Sequence, residues 1–236
     1  MKIKFRQMKF GVVKFQASTG HDDLLYIISE ILEQEAISIT YNSTQLPKID
    51  AIIVPGGFAN NGSLANGISA SKSPIMKEVK EFAKKGGFVF GIGNGFQVLC
   101  EVKMLPGKLL INDNTLYACK NIFIKPAHTH SSITALLDTN SAYKIPISNQ
   151  YGNYQINDET VRRLRENEQI LFHYCNKDGH LTEEANPNGS RGNIAGICNK
   201  GKNVYGMLPQ PERAVDDELG NTDGRLIFES IIAYLR

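Results

Sequence analysis

Hydrophobic positions fall into two alternating patterns along the chain. Short apolar, β-branched runs occur at Lys9–Phe15, Ile37–Tyr41, Ala51–Val54 and Phe88–Ile92. Each is bounded by polar residues, Gly or Pro, the pattern of buried strands. Between them the spacing turns helical. Leu24, Leu25, Ile27, Ile28, Ile31 and Leu32 form one broad face over Asp22–Gln34. Ser73 followed by Pro74 predicts a helix start, with Ser as N-cap and Pro at the first helical position. That helix runs to about Lys84 and stops at Gly86-Gly87, and Asn94–Val102 is a further helical stretch. Strands alternating with helices predict an α/β fold, with a mostly parallel sheet covered on both faces. Functional groups in such sheets gather where strands end. The turns at 16–22, 55–67 and 91–96 lie there.

The middle of the chain differs. Residues 108–154 hold strand-like runs at Asn121–Ile124, Ile133–Leu137 and Tyr143–Ile147 without a clear helix. They predict an antiparallel excursion on the sheet edge. A helix capped by Asn157 or Asp158 follows, with Val161 and Leu164 as its apolar stripe. Strands near Ile170–Tyr174, Ile194–Cys198 and Val204–Leu208 return to the core, and Ile227–Leu235 reads as an amphipathic helix. Residues 176–193, rich in Asn, Gly, Lys and Glu, predict an exposed loop. With no internal repeat and no low-complexity linker, 1–236 reads as a single domain.

One turn stands out. Phe88–Ile92 leads into Gly91-Ile92-Gly93-Asn94-Gly95 and then into an amphipathic stretch. Strand, sharp turn and helix in this order are the layout of a nucleophile elbow, whose tip should carry a nucleophilic side chain. Here the tip is Gly93. Either the turn is not an elbow or the scaffold has lost its nucleophile; glycine tolerates the strained backbone of such a tip, so the fold should survive such a loss.

A second segment gives the elbow its context. Val204-Tyr-Gly-Met-Leu-Pro-Gln-Pro-Glu-Arg-Ala-Val215, taken with Pro55-Gly56-Gly57-Phe58 and Gly93-Asn94-Gly95-Phe96-Gln97, resembles the class I (triad) glutamine amidotransferases. The nearest branch is the glutaminase subunit of phosphoribosylformylglycinamidine synthase, a purine-biosynthesis enzyme. The likeness runs from Lys9 to Tyr234 and includes Leu105-Pro106-Gly107, Asn186-Pro187-Asn188-Gly189-Ser190 and Thr222-Asp223-Gly224. It makes residues 1–7 a short N-terminal extension. It implies a flavodoxin-like fold and a triad in which a Cys attacks the side-chain amide of glutamine and ammonia leaves. The family's Cys position falls on Gly93, its His position on Gln210 and its Glu position on Glu212. The oxyanion positions fall on Gly57 or Phe58 and on Asn94, and Gln97 matches a residue lining the substrate pocket.

The resemblance further implies a synthetase partner, with ATP and magnesium on that partner and no cofactor in this chain. Glutamine is the implied ligand. Departures cluster at the site. The first loop reads Gln16-Ala17-Ser18-Thr19-Gly20-His21-Asp22, the second Ala59-Asn60-Asn61-Gly62-Ser63, and a third Asn149-Gln150-Tyr151-Gly152. Structural segments match while site segments drift. The expectation is a subunit deficient in glutamine hydrolysis, acting by docking or regulation. The alternatives are a working amidotransferase with an unidentified nucleophile, and a repurposed small-molecule-binding or interaction protein.

Composition adds limits. A net charge of +2 without a basic block gives nothing for nucleic acid. No apolar run reaches the roughly 18 residues of a membrane span, and a cytoplasmic location is expected. The four cysteines, Cys100, Cys119, Cys175 and Cys198, lack close spacing and read as reduced thiols. Cys100 lies about 10 Å along the helix below the elbow, too far to replace a nucleophile at its tip. His128 and His130 fit one strand face, but no third ligand stands at metal-site spacing, so a structural or surface role is favoured.

Overall fold

The computed structural model describes residues 6–16, 18–56 and 64–236, excluding the side chains of 64–66. In chain order the elements are β1 (Lys9–Lys14), α1 (Gly20–Tyr26), β2 (Glu35–Thr40), β3 (Ala51–Val54), α2 (Leu64–Ser71), α3 (Ile75–Lys84), β4 (Phe88–Ile92) and α4 (Asn94–Glu101). They continue with β5 (Lys108–Leu110), β6 (Ala118–Pro126), β7 (Tyr143–Asn149), β8 (Asn153–Gln155), α5 (Asp158–Glu166), β9 (Ile170–Cys175), β10 (Ile194–Cys198), β11 (Val204–Met207) and α6 (Arg225–Leu235).

The main sheet has the order β2-β1-β3-β4-β11-β10-β9-β6-β7. From β2 to β11 every pair is parallel. From β11 through β10 to β7 every pair is antiparallel. β5 and β8 form a separate antiparallel pair. Every residue of β3 and β4 is buried, as expected for parallel strands covered on both faces. Edge strand β7 instead alternates between buried and half-buried residues. The strand period of two sends Phe10, Val12 and Ile53 to one core with Leu24, Ile28 and Phe228. Val13, Ile52 and Val54 enter the other core with Val79, Val98 and Leu99.

Four expectations are corrected. Ile133–Leu137 is not a strand but a pair of consecutive turns, Thr134 N–H donating to Ser131 O and Leu137 N–H to Thr134 O. Ile133 and Leu137 are buried, while Leu136 is exposed and its N–H meets Ser230 Oγ of α6 at 3.1 Å, so the two buried residues report burial and not extension. Ser73 does not cap α3. Its hydroxyl donates to Ala70 O at 2.6 Å, because α2, which the pattern did not reveal, delivers the chain already turning. The first helix begins at Gly20 and widens to a π-helical turn over Ile27–Ile31. The 176–193 loop is anchored at Asn188, whose buried Nδ2 donates to Asn112 Oδ1 at 2.7 Å and to Asn149 Oδ1 at 2.8 Å. Asn157 caps α5 as expected, its side chain accepting from Thr160 N–H.

Candidate active site

β3, β4 and β11 are adjacent parallel strands, so their carboxyl ends meet at one place. Gly93 follows the last residue of β4 with φ +56° and ψ −120°, and α4 begins at the next residue. Its N–H donates to Met207 O at 2.9 Å, tying the tip to β11. The root of the turn is dictated by packing. A Cβ at Gly91 would stand 2.6 Å from Leu99 Cδ1 and 2.8 Å from the backbone of Gly95. A Cβ at Gly95 would collide with the carbonyl of Val54. Helix α4 therefore lies directly on β3, which only glycine permits.

The tip is different. A Cβ built on Gly93 would stand 3.5 Å from Gly56 Cα, 3.7 Å from Gln210 Nε2 and 3.9 Å from Leu208 O, all ordinary contacts. The space points at the residue in the expected base position. Gln210 leaves β11 through Leu208-Pro209, is buried, and is fixed by its N–H donating to Pro146 O at 2.9 Å. Its Oε1 is buried without a hydrogen-bond partner among the described residues.

Glu212 stands on the short 3₁₀ turn Pro211–Arg213 and is 1 % exposed. Among the described residues neither carboxyl oxygen has a well-aligned hydrogen-bond partner. A Cβ on Gly20, at the start of α1, would lie 3.4 Å from Glu212 Oε1 and 3.3 Å from Gly56 O. Gly56 thus neighbours both the Gly93 tip and the Gly20 position beside Glu212. Burial pushes the Glu212 carboxyl up to about 8, against the lowering effects of its own backbone N–H and, less, of Arg213. Arg213 faces Asp23, with Nε to Oδ2 at 3.3 Å, an ionic contact without hydrogen-bond alignment. At neutral pH Glu212 is therefore mainly an uncharged acid. Gln210 is an amide and takes no proton as an imidazole would.

The structure thus gathers Gly93, Gln210 and Glu212 at the strand ends. Asn94 opens α4, so its backbone N–H belongs to the first turn, which has no intrahelical acceptor. Gln97 is 1 % exposed, and its Oε1 accepts from Asn94 Nδ2 at 3.2 Å. A Cβ at Gly67 of α2 would overlap the Gln97 amide at 2.5 Å, so α2 seats on that side chain. Gly57 and Phe58 lie outside the described residues. Sequence reasoning missed the role of Gly20 and Gly56, although each glycine follows a strand end, which is the usable signal.

None of the four cysteines lies in the Gly93 turn. Burial raises the Cys100 thiol far above its ordinary value, and raises Cys175 and Cys198 to about 11. These thiols stay protonated near neutrality, and Cys119 is exposed on β6. His128 and His130 lie past the end of β6 with their rings stacked at 5.8 Å. Among the described residues no three His, Cys, Asp or Glu side chains group as metal ligands. No helix among them is long and apolar enough to cross a membrane.

Comparison with known proteins places the chain in a family. Residues 12–225 match the CobB/CobQ-like glutamine amidotransferase domain. The chain is 45% identical over 225 residues to the phosphoribosylformylglycinamidine synthase subunit PurQ of Koribacter versatilis, covering 95% of this chain and 97% of that protein. It is 41% identical to the same subunit of Aquifex aeolicus, covering 96% of this chain and all of that one (100%). A chain in the structure of PurLQS from Thermotoga maritima superposes with a TM-score of 0.84 at 30% identity, over 98% of this chain and 100% of that one. The chain belongs to the class I glutamine amidotransferases and, among them, to the PurQ subunits of phosphoribosylformylglycinamidine synthase.

Proposed function

We propose that this chain, as one domain, serves a purine-pathway phosphoribosylformylglycinamidine synthase as a glutaminase-type subunit that no longer releases ammonia from glutamine. It acts by docking on, stabilising or regulating a synthetase partner in the cytoplasm. ATP and magnesium belong to that partner, and this chain brings no cofactor. The observation that carries the reading is the tip of the elbow. Gly93 occupies the nucleophile position with the amide of Gln210 facing it, where a thiol and an imidazole are required. Removing such groups elsewhere costs about 10⁴- to 10⁶-fold in rate.

The test mixes this protein with the synthetase of the same cell and supplies either glutamine or an ammonium salt. Product from ammonium alone supports the reading. Glutamine-dependent product at a comparable rate overturns it and requires a nucleophile elsewhere. Omitting this chain from the ammonium reaction separates docking from no role, because a docking subunit raises the rate or stability of the synthetase.

A further inference from the structure

A second concave feature lies at the opposite end of the sheet from Gly93. Helix α4 runs from the elbow back to the amino ends of the strands, where Lys103 follows it. The β10–β11 turn that carries Lys200 leads into Val204, which pairs with Val89 at the start of β4. Between them is a groove of about 500 Å³. Leu105 and Leu164, 2% and 1% exposed, form its apolar floor. Lys103, Arg163 and Lys200 line it together with the amide residue Gln169.

Among the described residues no acidic side chain lines this groove. Nearby acids face elsewhere: Glu166 pairs with Arg162 at 3.9 Å, and Glu168 pairs with His130 and Lys202, each at 3.4 Å. Lys103, Arg163 and Lys200 make no ion pair among the described residues. Lys103 and Arg163 stand at the carboxyl ends of α4 and α5, where cations complement the helix dipole. That role accounts for neither Lys200, which sits in a strand turn, nor the apolar floor.

Small-molecule sites typically enclose roughly 300–1,000 Å³ and combine an apolar lining with a few placed polar groups. We propose that this groove binds a small organic phosphate, its apolar body on Leu105 and Leu164 and its anionic head among Lys103, Arg163 and Lys200. The three cations supply charge and donors to the head, and the floor distinguishes an organic phosphate from a bare anion.

Calorimetric titration of the whole protein tests this with three probes: AMP, adenosine and inorganic phosphate. The expected result is AMP binding at least about tenfold tighter than either half-ligand, since ring and head each contribute. Lys103→Gln with Lys200→Gln should weaken AMP at least about tenfold with the urea midpoint unchanged. Lys200→Gln alone, in an exposed turn, gives the same direction of change should the double variant unfold. The proposal is overturned by no AMP binding at millimolar concentration, by equal affinity for AMP and phosphate, or by AMP affinity indifferent to the lysine changes.

Discussion

The root and the tip of the elbow use the same residue for opposite reasons. At the root, Gly91 and Gly95 are glycines because neighbouring atoms occupy the space of any side chain. At the tip, Gly93 has room for a Cβ, and that room points at residue 210. The strand, turn and helix of the elbow are all present, while the residue at the tip has no side chain. Packing constrains the root, whereas only chemistry would constrain the tip. The largest expected effect lies at the root: Gly95→Ala should cost more than about 4 kcal/mol or abolish folding, because the new atom meets the Val54 carbonyl on a buried strand. Urea unfolding followed by circular dichroism checks this, and a mild cost would mean α4 can lift off β3.

At the tip the comparison predicts a gain. Gly93→Cys with Gln210→His places a thiol and an imidazole across the 3.7 Å approach measured from the Cβ position to Gln210 Nε2. Glutaminase activity should rise roughly 10³-fold over the parent, the scale that triad groups contribute elsewhere. Gly93→Cys alone should gain little, since a thiol without an adjacent base stays mostly protonated. Ammonia release from glutamine, measured with the synthetase present, reads both. A null result for the double variant would place the remaining defect in the drifted loops.

Glu212 sharpens the contrast through pH. Its folded-state carboxyl is raised to about 8, well above the ordinary 4.5. The folded protein therefore holds this proton more tightly than the unfolded chain does. Its stabilising contribution is complete below about 4.5 and is lost as pH rises through about 8. Between pH 5 and 8.5 the wild type should lose on the order of a few kcal/mol relative to Glu212→Gln, whose stability should lack that slope. Urea midpoints of both proteins at the two pH values decide it. Equal slopes would show that Glu212 is already ionised in the folded protein below pH 8.

Much of this was legible in the sequence, for identifiable reasons. β3 and β4 were readable to the residue because fully buried parallel strands are short apolar runs ended by Pro or Gly. The placement of Gly93, Gln210 and Glu212 followed from motif resemblance, and the structure sets all three at the ends of adjacent strands. Ile133–Leu137 misled because apolar composition reports burial, and consecutive turns bury side chains as well as a strand does. Helix α2 was hidden because Asn66-Gly67 puts two poor helix formers inside it, and it seats through the contact of Gly67 with Gln97. The burial of Glu212 was unreadable, since it depends on residues far away in sequence, Gly20 among them, packing against one carboxyl group.

The smallest expected effect is the one that most directly separates tip from root. Gly93→Ala adds the same single atom as Gly95→Ala, at a place where its nearest neighbours are 3.5 Å or more away. The cost is then conformational only: a residue with a Cβ held at φ +56°. Such strain is worth about 1–2 kcal/mol. Paired urea titrations of the two alanine variants measure the difference with chemistry excluded, because neither carries a nucleophile. A Gly93→Ala cost near that of Gly95→Ala would mean that the tip has closed around glycine and that restoring a cysteine there is structurally forbidden. A cost of about 1–2 kcal/mol would mean that the elbow still accepts a side chain at its tip, and that what this chain has lost is chemistry alone.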